Sequence, residues 1–106
     1  MRNHFINAER APYFELNSQI HARLIALSRN RVLQETHARL NTRASRGRYL
    51  AIVDDARWRE AMQEHEELMQ ALRDRDSTRA GAVWRRHLAN TGAAVRRAQL
   101  VDAESQ

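Results

Sequence analysis

Three histidines stand where helical periodicity asks for leucine: His21 between Asn17 and Leu24, His65 between Met62 and Leu68, and His87 between Trp84 and Leu88. An imidazole taken out of water costs free energy unless its ring nitrogens find partners. One such residue on each of three segments admits two readings. In the first, each is a core or rim histidine bonded to a backbone carbonyl or to water. In the second, the three converge on one metal ion inside a helical bundle. Imidazole nitrogen suits zinc, nickel, copper or iron, and bundle interiors commonly house such sites. Asn17 stands four residues before His21, so both project from one face on successive turns, and its amide oxygen could be a further, neutral ligand. Periodicity alone leaves both readings open. His37 touches the apolar stripe of its own segment without an evident role, and His4 sits in a leader that carries no signal.

Four helical segments would have to position these groups. The first runs over about 12–28, with Pro12 in its opening turn, where the missing N–H costs nothing. Phe14, Ile20, His21, Leu24, Ile25 and Leu27 fall largely on one side of it. Asn30 can cap the second, over about 31–53, whose apolar positions are Leu33, Leu40, Ala44, Ala51 and Ile52. Arg43, Arg46 and Arg48 together with Gly47 mark a place for a kink or local fraying. Asp54-Asp55 is an acidic start that complements the dipole of a third helix. Its stripe of Trp58, Ala61, Met62, His65, Leu68, Met69 and Leu72 is the cleanest in the chain. Asp76-Ser77 supplies an N-cap for a fourth helix over about 78–103, striped by Ala80, Val83, Trp84, His87, Leu88, Thr91, Ala94, Val95 and Ala98. Glu104-Ser105-Gln106 should fray. The pattern predicts an all-α, antiparallel helical bundle of about four helices with short connections.

Composition narrows the function classes. A chain of 106 residues fits a single domain, and 42% hydrophobic with 29% charged residues is globular rather than disordered composition. No apolar run reaches membrane-spanning length, and the opening residues lack a signal-peptide pattern, which together suggest a cytoplasmic protein. The absence of cysteine excludes disulfides, thiolate zinc sites and cysteine nucleophiles. All 18 basic residues are arginine, against 13 acids, a net charge of +5 that could suggest nucleic acid. The arginines are spread from Arg2 to Arg97, however, most with acids beside them, as in Arg57-Trp58-Arg59-Glu60 and Arg73-Asp74-Arg75-Asp76. Such dispersed charge reads as solvated helix surface, so direct DNA binding by this chain is not expected.

Several motifs point further. The Glu64-His65 pair followed by Leu68, Ala71, Leu72 and Asp76, then Ala80 with Trp84-Arg85-Arg86-His87-Leu88, resembles two consecutive helices of the FadR C-terminal (FCD) domain, the effector-binding half of many GntR-family bacterial transcription regulators. Tyr13-Phe14-Glu15-Leu16-Asn17-Ser18-Gln19-Ile20-His21 looks like an earlier helix of that family, and Ser28-Arg29-Asn30 occupies the place of its helix end. The segments occur in family order over roughly 13–98. The resemblance implies a metal site built from a carboxylate four residues before one histidine and from two later histidines, which here places Asn17, His21, His65 and His87 as ligands. Asn17 departs from the aspartate of the best-known pattern. It keeps the oxygen but loses a negative charge, which should weaken affinity and favour an anion in the open coordination position. The ion would most readily be zinc, with nickel or manganese as other candidates. The resemblance also implies a small organic or sugar acid as effector, with Arg43, Arg46 or Arg48 able to pair with its carboxylate. It implies a homodimer that reaches DNA through a separate winged-helix domain, with no membrane partner. On this reading residues 1–106 form a single all-helical sensing domain, without that winged helix and without the first sensor helices.

Two other function classes remain to be weighed. A metal-free helical dimerisation or interaction module would use the histidines as satisfied core groups. A metal-dependent hydrolase would need a base, and Glu64 and Glu66 flank His65; residues one position away on a helix point off the metal-facing side, so a non-enzymatic role is expected.

Overall fold

The computed structural model describes the backbone of residues 1–104 and the side-chain surroundings of residues 1–99. The chain is all-α, with five helices and no strand among the described residues: α1 (Arg2–Ile6), α2 (Arg10–Leu27), α3 (Arg31–Val53), α4 (Asp55–Arg73) and α5 (Ser77–Glu104). The four expected segments are α2 to α5. The additional helix, α1, is a single short turn in the leader, below the length at which periodicity can be read. The backbone of α3 stays helical through 43–48, so Gly47 does not interrupt it. Glu104, expected to fray, is still within α5, and Ser105 and Gln106 lie outside the described residues. The residues gather into two compact units, Met1–Tyr49 and Leu50–Gln106.

In the first unit, the most buried residues of α2 are Tyr13, Asn17 and His21, spaced i, i+4, i+8 along one stripe. α2 ends where Arg29 takes a left-handed conformation with φ of 53°. Ser28 Oγ donates to the Ile25 carbonyl at 2.6 Å, and Asn30 Oδ1 accepts from the Leu33 N–H at 3.0 Å, the expected cap of α3. α2 and α3 then enclose a cleft of about 620 Å³ lined by residues that include Phe14, Ser18, His37 and Asn41. Phe14 and Tyr49 meet edge to face, with ring centroids 5.2 Å apart. Leu27, Leu33 and Leu40, expected on apolar stripes, are exposed. A stripe defines a face but supplies nothing to cover it.

In the second unit, α4 and α5 pack as an antiparallel helical hairpin. Asp54 caps α4 by accepting from the Ala56 N–H at 2.9 Å. The helix closes in a Schellman arrangement: the Asp76 N–H reaches the Ala71 carbonyl at 2.9 Å and the Arg75 N–H reaches that of Leu72 at 3.1 Å. Asp76 Oδ1 in turn accepts from the Arg79 N–H at 3.0 Å and starts α5. Trp58, Ala61, Met62, Leu68, Ala71, Val83 and Ala94 are buried. Met69, Leu72 and Leu88 are about half exposed, contrary to their stripe positions. The buried face of α4 is rotated instead toward Arg57, Glu64 and Ala71, a row at seven-residue spacing, because the two charged members are paired.

Arg75 sits at the left-handed position of the Schellman turn with φ of 53°, where a side chain is strained and glycine is not. Arg75→Gly is therefore expected to stabilise the protein by about 0.5–1 kcal/mol, the relief outweighing the entropy glycine adds to the unfolded chain. A thermal melt checks this, and a lowered melting temperature would contradict it.

Candidate metal centre

Two of the four expected ligands come together within the second unit. His65 on α4 and His87 on α5 are buried, with ring centroids 4.6 Å apart and planes tilted by 53°. Trp84 lies against His87 at 5.2 Å. Around them is a polar network that periodicity did not foresee. His87 Nδ1 is 2.7 Å from Glu64 Oε1, and the other Glu64 oxygen accepts from Asn90 Nδ2 at 2.6 Å. Arg57 Nη2 lies 3.0 Å from Glu64 Oε1 and donates to Thr91 Oγ1 at 2.7 Å and to the His87 carbonyl at 3.3 Å. Arg57 Nη1 donates to Glu60 at 2.5 Å, and Thr91 Oγ1 donates to the His87 carbonyl at 2.8 Å.

Arg57 corrects one expectation: it belongs to a charge cluster read as solvated surface, yet it is 2% exposed. Glu64, expected off the metal-facing side, is 3% exposed and meets His87 at Nδ1. Their seven-residue separation was the available signal, since it places both on one helix face beside Trp58 and His65. Nothing local marks Asn90, whose role depends on a partner on another helix.

Burial by itself would raise the Glu64 pKa, but hydrogen bonds from His87, Arg57 and Asn90 and the Arg57 charge outweigh it and hold the carboxyl at about 2. Burial, then the neighbouring His87, pushes the His65 pKa down to about 3, against a smaller opposing pull from Glu64. His65 is thus a neutral imidazole at neutral pH, the form that ligates metal. The donor chemistry of this pair fits a divalent ion of intermediate softness.

In the first unit, Asn17 and His21 are both buried, one turn apart on α2. The three arginines considered for a carboxylate differ. Arg43 and Arg46 are exposed, whereas Arg48 is half-buried, with Nη2 donating to Ser45 Oγ at 3.1 Å and a buried Nε that meets no hydrogen-bond partner among the described residues. Burial lowers its pKa from the usual guanidinium value.

The FCD domain model matches residues 1–90. The chain belongs to the FCD domain family. The match takes in α1, which the motifs alone left outside, and contains Asn17, His21, His65 and His87. No curated protein and no solved structure matches the chain. FCD domains are the effector-binding regulatory domains of GntR-type regulators and are not catalytic ones. No helix among the described residues of this FCD domain is long and apolar enough to cross a membrane.

The depressed pKa values carry a pH signature for the metal-free FCD domain. The unfolded chain takes up a proton at His65 near 6.5 and at Glu64 near 4.5, while the folded protein resists until about 3 and about 2. Stability is therefore full above pH 6.5, falls as His65 is driven toward protonation between 6.5 and 3, and falls further as Glu64 follows between 4.5 and 2. Melting temperatures in a pH series should show this two-part decline, and His65→Leu should flatten the upper part. A His65→Leu curve with the wild-type slope between 6.5 and 4.5 would contradict the assignment.

Proposed function

We propose that this FCD domain is the sensing module of a GntR-family transcription regulator that binds a divalent metal and a small organic or sugar acid, and so modulates DNA binding by a winged-helix domain. The observation that carries this reading is the pair of buried histidines, His65 and His87, brought to 4.6 Å in a chain whose family senses effectors. Asn17 and His21, a buried Asn-x-x-x-His pair, are the further ligands in this reading. The ion is most readily zinc, with nickel or manganese as alternatives. When bound it supplies positive charge and a coordination position open to a carboxylate. The chain's own contribution is threefold: neutral imidazole donors, an amide oxygen from Asn17, and a guanidinium at Arg48 whose desolvated Nε gains a partner in an effector carboxylate. Arg43 and Arg46, being exposed, serve that role less well. In the intact regulator the module acts as a cytoplasmic homodimer, and effector binding shifts helix packing between two states of different DNA affinity.

Elemental analysis of untagged protein should find near-stoichiometric zinc, nickel or manganese, with a melting temperature lowered by chelator and restored by metal. His65→Ala should abolish this, and Asn17→Asp should tighten metal binding about tenfold by adding a negative ligand. Absence of metal, with a melt indifferent to chelator, would favour the metal-free interaction module, for which the exposed Leu27, Val32 and Leu40 speak. Calorimetric screening of small carboxylates on the loaded protein tests the effector half. Arg48→Gln should weaken the best binder about tenfold while Arg43→Gln leaves it unchanged.

A further inference from the structure

The atom that decides how His87 can act is Nδ1, because Glu64 Oε1 lies 2.7 Å from it. Each Glu64 oxygen is also met by a donor from elsewhere: Arg57 Nη2 at 3.0 Å on Oε1 and Asn90 Nδ2 at 2.6 Å on Oε2. A carboxylate so placed is an acceptor only, so a short contact with His87 requires the hydrogen to sit on Nδ1. The alternative, in which Nδ1 accepts from Arg57 Nη2, fails on distance: that contact is 3.5 Å, and it would leave two lone pairs facing one another across the shorter gap. Arg57 is spent on Glu60, Glu64, Thr91 and the His87 carbonyl, and its side chain is 1% exposed, so Glu64 is anchored by a group with little freedom to leave.

We propose that Glu64 is a positioning residue: held by Arg57 and Asn90, it fixes His87 as the Nδ1–H tautomer and leaves the unprotonated Nε2 as the nitrogen that would ligate an ion. This rests on the metal reading above and adds to it a group that orients a ligand without touching the ion. Losing such an outer partner of a ligating histidine commonly weakens metal binding by about 10–100-fold.

The test has a readout that needs no metal. Long-range ¹⁵N–¹H spectra of histidine-labelled, metal-free protein at pH 7.5 distinguish the tautomers, with the His87 signals assigned by their loss in His87→Gln. The wild type should show His87 protonated on Nδ1. Because Glu64→Leu alone would strand a buried arginine, the variant to use is Arg57→Met with Glu64→Leu, which removes both charges together. Its helical content should persist while His87 shifts toward the Nε2–H form, and zinc affinity should fall about 10–100-fold. Glu64→Gln keeps a neutral acceptor and should retain the Nδ1–H tautomer with a smaller loss of affinity. A wild-type His87 protonated on Nε2, or an unchanged tautomer in the double variant, would overturn the proposal. Should the tautomer switch as expected in a protein that binds no zinc, nickel or manganese, Glu64 keeps its positioning role and the metal reading fails alone.

Discussion

The contact between Arg57 and Glu64 is the constraint on which the second unit depends. Two charges with side chains 1% and 3% exposed have lost nearly all their water, a penalty of several kcal/mol per ion that their attraction offsets only when the remaining donors and acceptors are also satisfied. Here they are. Glu64 takes donors from His87 and Asn90, and Arg57 gives to Thr91 and the His87 carbonyl, so four groups within a little over one turn of α5 close around a pair on α4. Hydrophobic packing of Trp58, Ala61 and Leu68 drives the two helices together without direction. The polar network adds a register, because sliding α5 by one turn would leave buried charges without partners.

That network also sets the electrostatics around the histidines. The Arg57 and Glu64 charges cancel at close range, and His65 is held neutral by its burial. In the proposed site the ligands, Asn17 included, carry no formal charge, so a divalent ion would keep its full positive charge. An anionic effector would be the natural complement to such a centre, and an asparagine in place of aspartate at position 17 would strengthen that preference while loosening the hold on the ion.

Much of the helical plan is legible in the chain. Asn30, Asp54 and Asp76 act as the caps their types suggest, because capping is a local matter of one oxygen and one N–H a turn away. The displaced histidines are legible for a similar reason, polarity at a stripe position. Two kinds of information were not. Periodicity marks Leu33 and Leu40 as apolar but cannot say whether anything packs on them, and both are exposed. Residue class likewise sorts Arg57 and Glu64 to the surface, since charged side chains are almost never buried unless paired. Their partners lie 23 to 34 residues away, on a helix whose register is decided only when the core forms.

The turn between α4 and α5 has a kinetic meaning. Only Asp74, Arg75 and Asp76 separate the helices, and backbone hydrogen bonds and the Asp76 cap fix the reversal without help from any distant residue. Closing so short a loop takes little chain entropy, and the contacts it permits are all between sequence neighbours at the scale of one hairpin. Topologies built from such local contacts are the ones that fold fast. The hairpin that carries His65 and His87 is therefore built from contacts that need no other part of the chain, and its two imidazoles come to 4.6 Å of one another within that hairpin alone.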